Sequence, residues 1–325
     1  MRSSARAVAH PNIALAKYWG KLDARTNVPA VPSLSVTLAG MATTTTVTFD
    51  DALKHDGIRI DGEPAVGRPR DRVIEMLDRI RKEARIECCA RVESQNDFPT
   101  ASGLASSASG FAALALAASR AAGFDWSAER VAELARTSSA SAARSMFGGF
   151  AELDGGPGAR GAARQVAPAD ALDLRVLVCV TNEGPKLLSS TDGMNASATT
   201  SPYWDAWIAL APKIHQRLRA ALLDGDFQTL GELAEQSAFA MHACALAAGI
   251  VYTTDATFAA IREVRALRAS GVPAFATVDA GPHVKCLVRG VDAEVARRKL
   301  VSAPGVLRVV ETQPGEGARV LEASS

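Results

Sequence analysis

The sequence predicts an α+β fold in two parts, and three observations carry that prediction. An apolar run at 174–180 reads as a buried strand that opens the second half. Long helical patterns follow at about 203–223, 226–247 and 255–269. The chain then alternates strand (274–278), strand (284–288), helix (293–301) and strand (306–310), a layout in which helices cover antiparallel sheets. The expected domains are 1–173 and 174–325.

The first half is built from shorter pieces. Residues 44–49 are β-rich, and the Gly-, Asp- and Pro-rich stretch 56–69 predicts a hairpin. Residues 71–84 read as a helix with Val73, Ile74, Leu77 and Ile80 on one face. A strand at 90–94 follows, and Ser127 is a good N-cap for a helix carrying Val131, Leu134 and Ala135. Gly148-Gly149 breaks the chain before a short strand at 150–153, and the Gly-, Ala- and Pro-rich residues 154–173 read as a surface loop. Inside that loop, Gly156-x-Gly158-x-x-Gly161 matches the dinucleotide fingerprint by letter. No helix follows it, because Pro168 and polar residues intervene, so that reading is rejected.

Composition narrows the function. The chain has 325 residues, 48% of them apolar, which is enough for a large core. A net charge of +1, from 36 basic and 35 acidic residues, argues against a dedicated nucleic-acid binder. No apolar run approaches membrane-spanning length, and Arg2, Arg6 and His10 flank no signal-peptide core. The five cysteines form no C-x-x-C pair, and Cys179 and Cys286 fall in apolar strand-like runs where a reduced, buried thiol is expected. The expectation is a cytoplasmic protein without a membrane or nucleic-acid partner.

The most informative segment runs from Phe98 to Gly110 as Phe-Pro-Thr-Ala-Ser-Gly-Leu-Ala-Ser-Ser-Ala-Ser-Gly, followed by an alanine-rich helical run. Its small side chains let backbone N–H groups approach a ligand, and the helix behind adds the positive end of its dipole, which favours phosphate. A flexible linker fits less well, because a strong helix former follows at once. The loop lacks Gly-Lys-Ser/Thr, so it is not a Walker A loop.

Other constellations are less specific alone. Lys17-Tyr18-Trp19-Gly20-Lys21 sets two lysines four apart, on a shared helical face, in a pocket loop, or solvated at a strand end. Arg144, among Ser138, Ser139, Ser141 and Ser145, has room to present its planar fork to a phosphate or carboxylate, or simply ends a helix. Asp279 ends an apolar strand before Gly281-Pro282, as a rigidly held carboxylate or as an ordinary turn residue. The hydroxyls of Ser189, Ser190 and Thr191 offer a second phosphate contact or a helix cap, and His242 stands alone in a helical run. No spacing suggests a transition-metal site, and the sequon Asn195-Ala196-Ser197 has no secretory context.

Together these segments resemble the diphosphomevalonate decarboxylases of the GHMP kinase superfamily. The matching elements are Asn12-Ile13-Ala14-Leu15, Lys17 to Lys21, Ser33-Leu34-Ser35-Val36-Thr37-Leu38, the loop Pro99 to Ser107, and the run Ser139 to Gly149. Gly193-Met194, Met241-His242-Ala243 and Asp279-Ala280-Gly281-Pro282 complete the set, in the family's order over nearly the whole chain. The resemblance implies a GHMP kinase fold, with an N-terminal ribosomal-S5-like domain, a C-terminal ferredoxin-like domain and the active site in the cleft between them. It implies ATP- and Mg²⁺-dependent conversion of 5-diphosphomevalonate to isopentenyl diphosphate, CO₂, ADP and phosphate, in a homodimer.

Roles follow from the same resemblance. Asp279, Lys17 and Arg144 are the implied catalytic residues, and Tyr18, Lys21, Ser139, Ser141, Ser190 and Met194 the implied substrate contacts. Ser94, Asn96, Pro99, Ser102, Gly103, Leu104, Ala105, Ser106 and Ser107 are the implied ATP contacts, with Ser106 beside Mg²⁺. The chain departs from the family's pattern at Pro32, Ala140, Leu153, Gly249-Ile250-Val251-Tyr252 and His283. These departures leave 5-phosphomevalonate decarboxylation, or O3 phosphorylation of mevalonate alone, as alternatives.

Overall fold

The computed structural model describes residues 2–23, 25–98, 106–184 and 188–324. The chain begins with β1 (Arg2–Ala9), β2 (Asn12–Ala16), β3 (Lys21–Asp23), β4 (Val28–Pro29), β5 (Ser33–Thr37) and β6 (Thr43–Asp50). Next come β7 (Gly57–Ile60), β8 (Glu63–Pro64), α1 (Gly67–Ala84), β9 (Cys89–Asn96), α2 (Ser106–Ala121), α3 (Ala128–Ser138) and α4 (Ala140–Arg144). Strands β10 (Phe150–Leu153), β11 (Ala163–Ala167) and β12 (Arg175–Val180) lead to α5 (Ser190–Thr200), α6 (Trp204–Leu223), α7 (Phe227–Ala247) and α8 (Asp255–Ala269). The chain closes with β13 (Phe275–Val278), β14 (Val284–Val288), α9 (Ala293–Val301), β15 (Arg308–Thr312) and β16 (Arg319–Ser324).

A six-stranded sheet of order β16-β1-β6-β9-β7-β8 forms the N-terminal layer. Strand β6 alternates buried and half-buried residues along its length, so Val47 and Phe49 meet the helices while Thr46 and Thr48 face outward. Helix α1 buries Val73, Met76, Leu77 and Ile80. Helix α2 is rich in alanine because it is buried almost all round, packing against the sheet and the helices α3 and α4 with Phe111, Leu114 and Leu116 as its larger core residues.

The C-terminal sheet, of order β13-β14-β12-β15, is antiparallel. On β12 the residues Val176, Val178 and Val180 join the core that includes Leu230 and Leu233 of α7, while Leu177 and Cys179 face the core under α8 and α9. The first of these cores also contains Ile13, Leu34, Val36 and Phe150 of the sheet β11-β10-β5-β2, so one apolar mass joins the two halves. At the chain's end β16 pairs with β1, returning to the N-terminal sheet.

Two expectations need correction. Residues 154–173 are not all loop, since β11 pairs with β10 there. Its Arg164 and Gln165 are exposed, and its apolar anchors are Ala163, Ala167 and the half-buried Val166, with no alternation to mark a strand by pattern. The last expected strand, 306–310, lies at β15 instead, because residues 302–306 turn out of α9 first. Cys179 and Cys286 are buried free thiols, as expected.

Candidate active site

Lys17 follows β2 directly, so the two lysines of the first motif share no helix; Lys21 opens β3 beyond a turn. Gly20 makes that turn at φ +104°, and a Cβ there would come within 2.3 Å of the Trp204 ring. The Lys17 amide donates to Ser237 Oγ of α7 at 2.9 Å, and its Nζ donates to Ala14 O at 2.7 Å. With only 2% of its side chain exposed, Lys17 is a buried ammonium. Burial, partly offset by the charge of Asp279, brings its pKa down to about 8.

Its ionic partner comes from the far end of the chain. Asp279 follows β13, and its Oδ1 accepts from Lys17 Nζ at 2.5 Å. Oδ2 lies 2.9 Å from Nζ of Lys285, a lysine of β14 that is 3% exposed. The carboxylate itself is 30% exposed. Burial works against its charge, but the two ammoniums outweigh it and hold the carboxyl well below the usual carboxylate range. The strand leading to it is anchored by Glu235 of α7, which accepts from Ala276 N at 2.8 Å and pairs with Arg268. The turn after it is tied by Thr257 Oγ1, which donates to Pro282 O at 2.7 Å.

Arg144 ends α4, but its guanidinium is 2% exposed rather than solvated. It donates to Ser33 Oγ (2.8 Å), Ser35 Oγ (3.0 Å) and Asn12 Oδ1 (3.4 Å). Asn12 in turn donates to Ser141 O and Ser145 Oγ, both at 2.8 Å. All these partners are neutral, so the guanidinium charge stays uncompensated by them, and burial lowers its pKa to about 10.

Beside Arg144 stand several of the remaining implied contacts. Ser139 caps α4, and its Oγ is 3.1 Å from Ser141 Oγ. Tyr18 has a buried hydroxyl without a partner among the described residues, and burial pushes its pKa up despite Arg144 and Arg136 nearby. Lys21 Nζ donates to Thr191 Oγ1 at 3.2 Å; burial, then Arg72 and Arg68, lower its pKa. Ser190 opens α5, whose N-cap is Ser189. Met194 points into an apolar cluster with Trp19, Trp207, Met241 and Tyr252, so it shapes the wall without offering a polar group.

A cavity of about 430 Å³ opens at the N-terminal end of α2. Ile58, Ile60, Val92, Phe111 and Leu114 make it apolar, while Ser94 and Asn96 of β9 and Ser106, Ser107 and Arg72 give it a polar rim. Ser94 is held by Thr45 (2.9 Å) and Asn96 by Thr43 (2.5 Å). Arg72 stacks on the Phe111 ring at 4.3 Å from its centroid. Pro99, Ser102, Gly103, Leu104 and Ala105 lie outside the described residues. Among those described, no group of three or more His, Cys, Asp or Glu side chains could hold a metal ion.

Residues 9–163 match the family of the diphosphomevalonate decarboxylase-like N-terminal domain, and residues 176–303 match the mevalonate 5-diphosphate decarboxylase C-terminal domain. The chain belongs to the diphosphomevalonate decarboxylase family. Its curated relatives include the diphosphomevalonate decarboxylase of Schizosaccharomyces pombe, 32% identical over 95% of this chain and 92% of that one. The phosphomevalonate decarboxylase of Haloferax volcanii is 36% identical over 86% of each chain. Among solved structures, MDDEF in complex with MVAPP, AMPPCP and magnesium is 38% identical, covers 99% of this chain and 100% of that one, and superimposes with a TM-score of 0.92. The fold is therefore the GHMP kinase fold that the sequence resemblance implied.

Within that decarboxylase fold, several of the departures from the family's pattern are taken up by packing, while Val251 is exposed. His283 is buried, and its Nδ1 accepts from Thr181 N at 3.2 Å. Leu153 is fully buried, and Ala140 is 4% exposed in the same core. Tyr252 sets its ring edge-on to Trp19, and its hydroxyl donates to Ser189 O at 3.1 Å.

Sequence reasoning missed Lys285, Ser237 and Arg72. A signal for Lys285 was present: a lone lysine inside the run Val284-Lys285-Cys286-Leu287-Val288 must be paired if that strand is buried, since lysines are almost never fully buried alone. Ser237 carries no such signal, because its use depends on where α7 meets β2. Arg72 sits among Arg68, Arg70 and Arg79 of α1, and sequence alone does not separate it from them.

Proposed function

We propose that this chain catalyses the ATP-dependent decarboxylation of 5-diphosphomevalonate to isopentenyl diphosphate, with release of CO₂, ADP and phosphate. The observation that carries the reading is the pairing of Asp279 with Lys17 beside buried Arg144: one carboxylate, part-exposed, among cations that exceed it in charge. Such a site favours a polyanionic substrate and still offers a proton acceptor.

The substrate's tertiary hydroxyl is a poor leaving group, so it is first phosphorylated. Asp279 orients the C3 hydroxyl and takes its proton as the bond to the γ-phosphorus forms and the bond to the departing ADP oxygen breaks. Because two ammoniums weaken its basicity, orientation precedes proton transfer. The C3–O bond then breaks, with phosphate taking the electron pair. The C1–C2 pair becomes the new C2=C3 bond, and C1 leaves as CO₂. Lys17 offsets the charge growing on the departing phosphate. Arg144 grips the substrate's carboxylate or diphosphate, and Tyr18, Lys21, Ser139, Ser141 and Ser190 receive the diphosphate end, with Met194 behind them.

ATP fits the apolar cavity, with Ser94 and Asn96 beside the nucleoside and Ser106 and Ser107 at the phosphate end. Mg²⁺ would arrive with the nucleotide, held mainly by its phosphates and touched by the hydroxyl of Ser106, in keeping with how that ion is usually bound. When bound it supplies neutralising charge. The complex of MDDEF with MVAPP, AMPPCP and magnesium supports this set of ligands. Domains of 1–173 and 174–325, a cytoplasmic location and a homodimer belong to the same proposal; light scattering at twice the chain mass tests the last.

The test is turnover with ATP and Mg²⁺ on 5-diphosphomevalonate, 5-phosphomevalonate and mevalonate in parallel. CO₂ from the diphosphate in clear preference supports the reading. Preference for the monophosphate moves the chain to the branch of the Haloferax volcanii relative, and ADP without CO₂ makes it a kinase.

A further inference from the structure

Asp279 is held by more positive charge than its own neutralisation needs. Lys17 alone, at 2.5 Å, would balance it, yet Lys285 adds a second buried ammonium on the other oxygen. On β14 Lys285 stands opposite Val178 of β12 and Thr277 of β13, in the middle of the sheet. Val178 belongs to the core under α7, an apolar setting in which an ammonium is costly without a purpose. Lys285 is 3% exposed and places its ammonium against Oδ2 of Asp279, so its charge acts through that carboxylate.

We infer that Lys285 is a positioning residue: it pins Oδ2 of Asp279 from within the sheet, so that Oδ1 and Lys17 form the face presented to substrate, and it competes with Lys17 for the carboxylate's charge. The inference rests on the proposed function for its catalytic consequence, not for its electrostatic one. Among the described residues, Lys17 after β2, Lys285 on β14, Arg144 on α4 and His242 on α7 face this carboxylate. His242 is kept neutral by burial, and Arg144 is fixed by Ser33, Ser35 and Asn12, so of these Lys17 is the one whose titration responds to Lys285. The direction is set: Lys285 repels the Lys17 proton, and also takes part of the attraction that would retain it.

The experiment compares wild type with Lys285→Met and Lys285→Arg across the neutral and alkaline range. In Lys285→Met the alkaline limb of kcat moves up by about one pH unit. Its kcat falls on the order of tenfold to a hundredfold while both KM values stay close to wild type, as expected for lost alignment without a lost substrate contact. Lys285→Arg, which keeps the charge, restores the limb. An unchanged limb in folded Lys285→Met overturns the inference, as does a change confined to KM. A second readout needs no turnover. In protein labelled with ¹³C-lysine, the Lys17 signal, assigned by its loss in Lys17→Met, titrates at higher pH in Lys285→Met than in wild type and returns in Lys285→Arg. An unchanged Lys17 titration in folded Lys285→Met overturns the inference, even if CO₂ release has upheld the proposed function.

Discussion

The Nζ of Lys17 lies 2.5 Å from Oδ1 of Asp279, although 262 positions separate the two residues. The contact joins the end of β2, in the N-terminal half, to the end of β13, in the C-terminal half. The pair therefore exists only when both halves are folded and apposed. The apolar mass shared by Ile13, Val36, Val178 and Leu230 keeps them so.

Asp279→Asn keeps the shape of this contact and removes both the charge and the proton acceptor. Steady-state CO₂ release should fall on the order of a thousandfold, with KM for ATP little changed. Near-normal turnover would remove Asp279 from the chemistry.

In the proposed mechanism Lys17 acts as an ammonium, and burial lowers its pKa to about 8, so kcat should decline as pH rises through that value. Asp279 lies well below the usual range, so no acid limb near an ordinary aspartate value should come from it. A pH profile of kcat in saturating substrate checks both statements.

Arg144→Lys removes the planar fork while keeping the charge. Lysine cannot bond Ser33, Ser35 and Asn12 together as the guanidinium does. Losing one such charged hydrogen bond costs about 1.5–3 kcal/mol, so kcat/KM for the substrate should drop at least about tenfold. Unchanged kinetics would mean that charge alone suffices there.

Gly193 is required by packing. A Cβ at that position would lie 2.1 Å from the Tyr252 hydroxyl and 3.0 Å from the Trp19 ring. Gly193→Ala should cost about 1–3 kcal/mol of stability, read as a lower Tm. Adding Tyr252→Phe, which deletes the clashing oxygen, should recover part of it.

His242 makes the fold acid-sensitive. Its pKa is 6.5 unfolded and about 4 folded, with burial as the main cause and the Lys17 charge second. Between those values the unfolded chain binds more protons, so stability is greatest above pH 6.5 and is lost as pH falls toward 4. Denaturant midpoints should show this slope in wild type and a shallower one in His242→Gln.

What was legible in the sequence came from local patterns. Arg144 is legible as a cation among small hydroxyl residues and Ser189 as a cap or a phosphate contact, whereas Asp279 on spacing alone reads as an ordinary turn residue before Gly-Pro and takes its role from the family resemblance. The long helices were legible because their burial repeats. Strand β16 was not, because its partner β1 is at the opposite end of the chain. Strand β11 escaped because its middle is polar and exposed. Helix α5 is built from Ser, Thr, Asp and Asn, which are weak helix formers, and is held by burial of Gly193, Met194 and Ser197 instead. Lys285 was hidden by the same apolar run that made β14 easy to read.

In the proposed reaction one site couples phosphoryl transfer to loss of the carboxylate. The direct measurement is the ratio of CO₂ to ADP formed from 5-diphosphomevalonate in a single reaction with ATP and Mg²⁺. Equal amounts of the two, both abolished together in Asp279→Asn, are what this site predicts. ADP formed without CO₂, or CO₂ release that survives the substitution, would contradict it.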